Sequence, residues 1–87
     1  MITAGQLRAA RALLGIDQRR LAGLAGLSVP TIQRMESSAG TVRSNVESLV
    51  KVVDALSQAG IELIGEEAVS AAGGRGVRLK AMKEESR

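Results

Sequence analysis

Apolar residues recur every three or four positions over the first sixty residues of the chain, which is the spacing of a helix with one buried face. Glycine and serine interrupt this pattern and divide it into four segments. After residue 60 the apolar positions alternate with polar ones, and a period of two is typical of half-buried strands. The pattern therefore predicts four short helices followed by two strands.

The predicted helices have recognisable first and last residues. Each begins after a residue whose side chain can accept a hydrogen bond from the first turn, and these N-cap residues are Thr3, Asp17, Ser28 and Ser44. Gln6 and Glu47 each lie three residues after a cap, which predicts capping boxes in the first and fourth helices. Three helices are predicted to end at a glycine followed by an aliphatic residue, and these pairs are Gly15-Ile16, Gly26-Leu27 and Gly60-Ile61.

One apolar face of each helix is expected to form the core. The residues on these faces are Leu7, Ala10, Leu14, Leu21, Ala22, Ala25, Ile32, Met35, Val46, Leu49, Val53 and Leu56. Val50 and Val52 extend the apolar surface of the fourth helix beyond its inward face, and Leu24 lies off the inward face of the second helix. We therefore expect Val50, Val52 and Leu24 to provide extra apolar surface.

The segments 61–64 and 76–80 are the predicted strands, with apolar residues at alternate positions. The pattern leaves open whether they pair within one chain or between two chains. Residues 1–60 are thus expected to form a helical domain, residues 61–80 a strand pair that completes the domain or a dimer, and residues 81–87 a disordered tail.

The composition narrows the chemistry available to the protein. The 87 residues include no Cys, no His and no aromatic residue, so disulfides, the usual zinc ligands and base stacking on aromatic rings are excluded. We expect no enzymatic activity, no metal, no cofactor and no small-molecule ligand. No apolar run is long enough to span a membrane, and the expected location is the cytoplasm, in association with the nucleoid.

The positive charge of the chain is concentrated at its N-terminal end. The net charge is +3 overall, and residues 1–40 alone have five arginines against two acids, a net of +3. Arginine favours planar, bidentate contacts to phosphate and guanine, although exposed helix faces also accommodate arginines without any ligand. A small basic binding module is the function class that this distribution favours.

The second and third helices are separated by Gly26-Leu27-Ser28, which is the spacing of a helix-turn-helix motif. The stretch 18–36, QRRLAGLAGLSVPTIQRME, resembles the DNA-binding domain of the phage lambda-type repressors, the XRE family, over roughly residues 3–60. The resemblance implies a mainly α, four- to five-helix lambda-repressor-like domain. Family members usually add a fifth helix, whereas this chain resembles small regulators that end in a short C-terminal β-hairpin or a strand pair in a dimer.

The resemblance also implies which residues contact double-stranded DNA. The recognition helix, from about 29 to 37, would lie in the major groove, and the residues implied to contact bases are Val29, Pro30, Gln33 and Arg34. Arg34 suits guanine, and Gln33 suits adenine, guanine or a phosphate. Arg11 and Glu36 match a pair of family residues, which implies a structural ion pair between the first and third helices.

Phosphate contacts are expected around the two ends of the motif. Gln18 matches a phosphate-binding glutamine of the family, and a helix N-terminus favours a phosphate near the start of the fourth helix. The candidate residues are Gln18, Arg19, Ser28, Thr31, Arg43, Ser44 and Asn45. Ser28 and Ser44 have a second interpretation, because both are also predicted N-caps.

These observations predict a sequence-specific transcriptional regulator, of the repressor type, that acts as a homodimer. The candidate dimer residues are Val50, Val52, Ile61, Leu63, Val77 and Leu79. An alternative is an antitoxin-like or anti-activator module whose main partner is another protein, since extra apolar surface and free strand edges can capture a second chain. A third alternative is a structural or phage-assembly protein that uses the fold without DNA.

Overall fold

A computed structural model of the chain describes residues 2–65 and 72–80. Four helices come first, and they are α1 (Ala4–Leu14), α2 (Gln18–Ala25), α3 (Val29–Glu36) and α4 (Val46–Gln58). Two strands follow, β1 (Ile61–Ile64) and β2 (Gly76–Leu79). The prediction of a mainly helical fold with a C-terminal strand pair is confirmed. The predicted tail, residues 81–87, lies outside the described residues.

The first three helices begin at the predicted caps. Thr3 accepts a hydrogen bond from the Gln6 backbone N–H at 3.0 Å, and the Gln6 side chain accepts one from the Thr3 N–H at 2.9 Å, so the predicted capping box is formed. Asp17 and Ser28 cap α2 and α3 by accepting a hydrogen bond from the backbone N–H of Arg20 and of Thr31, without a reciprocal bond. These local contacts fix the direction in which each helix leaves its turn.

Glycines end α1 and α2 as predicted, and α4 ends differently. Gly15 and Gly26 both have a φ of 69°, a left-handed conformation that costs other residues free energy. At the end of α4, Ala59 stays in the right-handed conformation and Gly60 follows it with a φ of 103°. A glycine therefore follows the end of α4, but without the left-handed C-cap geometry that ends α1 and α2.

The predicted cap of α4 was wrong by one residue. Asn45, not Ser44, accepts the hydrogen bond from the first turn, and its Oδ1 lies 2.8 Å from the Ser48 backbone nitrogen. Ser44 and Asn45 are adjacent and both are good cap residues, so the sequence alone could not choose between them. Glu47 consequently lies in the first turn of α4 but does not form the predicted capping box.

The buried face of α4 is rotated from the predicted one. Leu49 and Leu56 are buried as expected, but Val46 is 70% exposed and Val52 is completely buried. Val52 therefore belongs to the core and not to a dimer surface, which corrects the prediction. Seven of the 13 residues of α4 are apolar, so its period does not define a single face, and packing against α2 decides which flank is buried.

The two strands pair with each other in the same chain, which is one of the two arrangements that the sequence pattern left open. They are antiparallel, and Ile61 lies opposite Leu79 while Leu63 lies opposite Val77. Ile61 is buried, so its assignment to the dimer surface is wrong as well. It packs in the same core as the helices, because β1 follows α4 after a single turn.

Two backbone hydrogen bonds attach the start of the chain to the segment between α3 and α4. The backbone of Ile2 and Ala4 pairs with that of Gly40 and Val42, and the two N···O distances are 2.9 and 3.0 Å. These bonds close the segment between α3 and α4 against the N-terminus. No helix among the described residues is long and apolar enough to cross a membrane.

Candidate nucleic-acid interface

The turn between α2 and α3 sets the orientation of the two helices. The Leu27 backbone N–H donates to the Ala22 carbonyl at 2.9 Å, which closes the turn over Gly26. Ala22 and Ala25 are buried, and their small side chains let α3 approach α2 closely. Gly26 has open space where a Cβ would lie, so its left-handed backbone alone accounts for the glycine at this position.

Helix α3 has a buried side and an exposed side. Ile32 and Met35 are buried in the core, whereas Pro30, Gln33 and Arg34 are exposed. Positions three and four apart lie on one face of a helix, so these three residues share a side that points away from the core. Val29, the fourth residue predicted to contact bases, is half-buried and packs against the core.

Short-range hydrogen bonds order the first turn of α3. The Ser28 and Thr31 hydroxyls lie 2.9 Å apart, and the Arg34 guanidinium donates to the Thr31 hydroxyl at 3.4 Å. Ser28 also accepts a hydrogen bond from the Thr31 N–H, so its hydroxyl acts as the N-cap of α3. The long Arg34 side chain is thereby directed along the exposed side of the helix.

A buried carboxylate holds the other end of α3. Glu36 accepts hydrogen bonds from Arg11 at 2.6 and 2.8 Å, a bidentate contact between α1 and α3. The Gln18 side chain donates a further hydrogen bond to Glu36 at 3.0 Å from the start of α2. Arg11 and Glu36 thus form the ion pair between α1 and α3, and Gln18 adds a hydrogen bond from a neutral donor to the same carboxylate.

The environment of Glu36 keeps it ionised. Burial, the largest single cause, raises the pKa of Glu36, whereas the hydrogen bonds from Arg11 and Gln18 lower it. The charge of Arg11, and then that of Arg8, acts in the same direction, so the pKa of Glu36 lies below the ordinary value of a glutamate. The hydrogen bond to Glu36 correspondingly raises the pKa of Arg11, and the pair is fully charged near neutral pH.

The N-termini of two other helices lie near the C-terminal end of α3. Gln18 begins α2 and contacts Glu36, and the Arg43 backbone N–H, just before α4, donates to the Ser38 hydroxyl at 3.4 Å. Free N–H groups and the helix dipole make such N-termini suitable for an anion. These two N-termini are therefore candidate positions for phosphates near the C-terminal end of α3.

The remaining candidate phosphate residues differ in how free they are. Arg19, Arg43 and Ser44 are exposed. The Asn45 side chain is used as the α4 cap, which leaves the backbone N–H groups beside it as the donors of that site. Gln18 gives one amide hydrogen to Glu36, and its amide group has a second hydrogen and an oxygen for another partner.

The candidate dimer residues are split between the core and the surface. Val52 and Ile61 are buried, Leu63 and Val77 are half-buried, and Val50 and Leu79 are 49% and 45% exposed. Sequence reasoning missed Val46, the most exposed of the large apolar residues of α4, because it was assigned to the inward face. A shallow groove between α4 and β1 is lined by apolar, polar and charged residues, which are Val53, Ser57, Ile61, Glu62, Leu63 and Lys80.

Gln6 has a second role that the sequence did not indicate. Its side-chain nitrogen donates to the Ile64 carbonyl at 3.1 Å and to the Gly76 carbonyl at 2.9 Å, one on each strand. Gln6 is buried, and the hydrogen bonds of its side chain go to Thr3 and to the two strands. It joins the hairpin to α1 and so belongs to the support of the domain rather than to the candidate interface.

The chain matches the model of a known protein family. The model of the family HTH_3, described as Helix-turn-helix, matches residues 7–58. That span includes α2, the Gly26 turn and α3, and it ends with α4, before the hairpin. The search of curated proteins found no match to the chain.

Proposed function

Because the chain belongs to the helix-turn-helix family of the XRE, or lambda-repressor, type, a family of DNA-binding regulators, we propose that it is a sequence-specific transcriptional repressor. The observation that supports sequence-specific DNA binding is that α3 has two different sides. Ile32 and Met35 lie in the core, whereas Gln33 and Arg34 are exposed. A helix of this kind fits the major groove, which is wide enough to admit an α-helix.

Two side chains supply the polar base contacts in this proposal. Arg34 donates two parallel hydrogen bonds to guanine, and Gln33 contacts adenine, guanine or a phosphate. Pro30 and the exposed part of Val29 contact thymine methyl groups. Since two polar residues are few for a whole half-site, DNA shape and deformability contribute much of the sequence preference.

Phosphate contacts orient the domain on the duplex. Gln18 and the backbone at the start of α4 hold phosphates near the C-terminal end of α3, and Arg19 and Arg43 add positive charge. Ser28, Thr31 and Ser44 complete the set with hydroxyl groups. These contacts supply affinity without sequence information, so they make binding steeply dependent on salt.

The experiment that tests this proposal is selection of a preferred DNA sequence followed by measurement of affinity. We expect the wild-type protein to prefer one sequence over random DNA. Arg34→Ala is expected to weaken binding by about 1–3 kcal/mol and to relax the preference at one base position. Lys51→Ala is the matched control, because it removes one positive charge from the exposed side of α4. A wild-type protein without any preference would refute the proposal.

The protein acts as a homodimer in this proposal, since dimers of the motif bind two half-sites about 34 Å apart. The dimer surface is the ridge formed by Val46, Val50 and Val53 on α4. Val46 is 70% exposed and Val50 is 49% exposed, and an exposed apolar ridge at this spacing suits packing against another helix.

Sedimentation tests the dimer with two variants whose replaced side chains are about equally exposed in the wild type. Val50→Asp is expected to convert the protein to monomers, whereas Leu24→Asp is not, although Leu24 on α2 is 47% exposed. A wild-type protein that is monomeric at micromolar concentration would rule out the dimer.

The same α4 ridge favours a second candidate function, a module whose main partner is a different protein. In that case the partner, and not a second copy, covers Val46 and Val50. Purification from native cells separates the two functions, because a stoichiometric second protein lost in Val50→Asp supports the partner module. A purified protein without such a partner supports the homodimer.

A further inference from the structure

The C-terminal carbonyl groups of α3 are satisfied in two different ways. The carbonyls of Gln33, Arg34 and Met35 accept hydrogen bonds from Ser37 and Ser38, which lie in the turn that ends the helix. The carbonyl of Glu36, the last residue of the helix, instead accepts a hydrogen bond from the Arg8 side chain of α1 at 2.6 Å. The end of α3 is thus attached to another helix through its backbone.

The side chain of the same residue is attached as well. Arg11 of α1 and Gln18 of α2 hold the Glu36 carboxylate, while Arg8 holds its carbonyl. Arg8 and Arg11 lie three residues apart on one side of α1, so both reach the end of α3 from the same direction. Arg8 is the one of these side chains that neither the motif nor the proposed phosphate contacts explain.

We propose that Arg8 is a positioning residue that fixes the C-terminal end of α3, and thereby the angle at which α3 meets DNA. The inference rests on the proposed function, because it concerns the helix assigned to base contacts. The guanidinium is a charged donor on a carbonyl at the negative end of the helix dipole, so the contact combines a strong hydrogen bond with a favourable charge interaction.

This role affects specificity more than overall affinity. Bidentate contacts to bases need the side chain within a few tenths of an ångström of its position, whereas phosphate contacts tolerate small rotations of the helix. When the Arg8 contact is removed, the Ser37–Ser38 turn still closes α3, but the end of the helix has one attachment fewer to α1. The helix can then rock about the Glu36 side chain, which weakens base contacts first.

The test compares Arg8→Met, Arg8→Lys and the control Lys51→Met, which also replaces one exposed basic side chain on a helix. The measured quantities are the ratio of affinities for selected and random DNA, and the slope of affinity for random DNA against salt. Arg8→Met is expected to lower the ratio about fivefold, which corresponds to about 1 kcal/mol, because the end of α3 loses a hydrogen bond from a charged donor. The salt slope of Arg8→Met is expected to equal that of the wild type. Arg8→Lys is expected to recover part of the affinity ratio, and Lys51→Met is expected to keep the ratio of the wild type.

A phosphate-binding role for Arg8 gives a different result, because loss of one phosphate contact lowers the salt slope by about 0.9. That change, or an unchanged ratio in Arg8→Met, would overturn the proposal. Amide hydrogen exchange provides a readout that does not depend on DNA. The Ser37 and Ser38 amides are expected to exchange faster in Arg8→Met than in the wild type and Lys51→Met, and equal rates would overturn the proposal even if the wild type binds DNA without preference.

Discussion

The replacement Arg11→Met tests how much the buried ion pair contributes to stability. It removes both hydrogen bonds that Arg11 donates to Glu36 and leaves the carboxylate with Gln18, a neutral donor. The side chains of Arg11 and Glu36 are 22% and 4% exposed, so the remaining charge stays largely out of water. Breaking a buried pair from one side costs about 3–5 kcal/mol, and the partial exposure of Arg11 favours the lower end of this range.

A loss of about 3 kcal/mol is large for a domain of this size, whose total stability is expected to be about 5 kcal/mol. Each kcal/mol shifts the melting temperature of such a domain by roughly 4–8 °C, so we expect Tm to fall by about 12 °C or more. Urea and thermal unfolding, followed by far-ultraviolet circular dichroism, measure both quantities.

The double variant Arg11→Met with Glu36→Met separates the buried charge from the lost contacts. If the unpaired carboxylate causes the loss, the double variant recovers much of the stability, because an apolar pair often replaces a buried ion pair without cost. A loss of less than about 1 kcal/mol in Arg11→Met, or a double variant that is less stable than Arg11→Met alone, would contradict this role of the buried charge.

Three further predictions concern pH, the glycines and the α4 cap. Because the folded-state pKa of Glu36 is lowered, the contribution of its carboxylate to stability is present above the unfolded pKa of about 4.3 and is lost as the pH falls below it. In urea unfolding, the wild type should therefore lose stability below that pH more steeply than Glu36→Gln. Gly26→Ala should destabilise by about 1 kcal/mol through its positive φ, whereas Gly23→Ala, in a helix with open space at its Cβ, should stabilise by about 0.5 kcal/mol in the same assay. Asn45→Ala should cost about 1 kcal/mol and Ser44→Ala much less, and equal losses would contradict the cap assignment.

The helix beginnings and the motif turn could be predicted because they depend on nearest neighbours in the chain. Thr3 with Gln6 forms a capping box through atoms three residues apart, and Gly26 ends α2 through its own backbone conformation. Contacts of this kind are nearly independent of the rest of the protein. The exposed residues of α3 follow in the same way, because Ile32 and Met35 fix its inward side by helical spacing.

The interpretation of α4 failed where several residues were equally suitable. Its valines occur on more than one side, so periodicity placed Val46 inside and Val52 outside, the reverse of the structure. Asn45 and Ser44 are neighbours that are both good N-cap residues, so the sequence could not show which of them caps α4. The Gln6 contacts to the hairpin join positions 58 and 70 residues apart, and no local pattern encodes them.

The sequence by itself determined the four helices, the two strands, the helix-turn-helix motif and the exposed polar side of α3, because each follows from spacing within a dozen residues. Only the tertiary structure decided which side of α4 enters the core and how the strands pair. It also decided which side chains hold the end of α3, where Arg8, Arg11 and Gln18 meet Glu36. The physical reason is that these contacts depend on how separate helices pack, and packing selects among faces that are equally apolar or equally polar in the sequence.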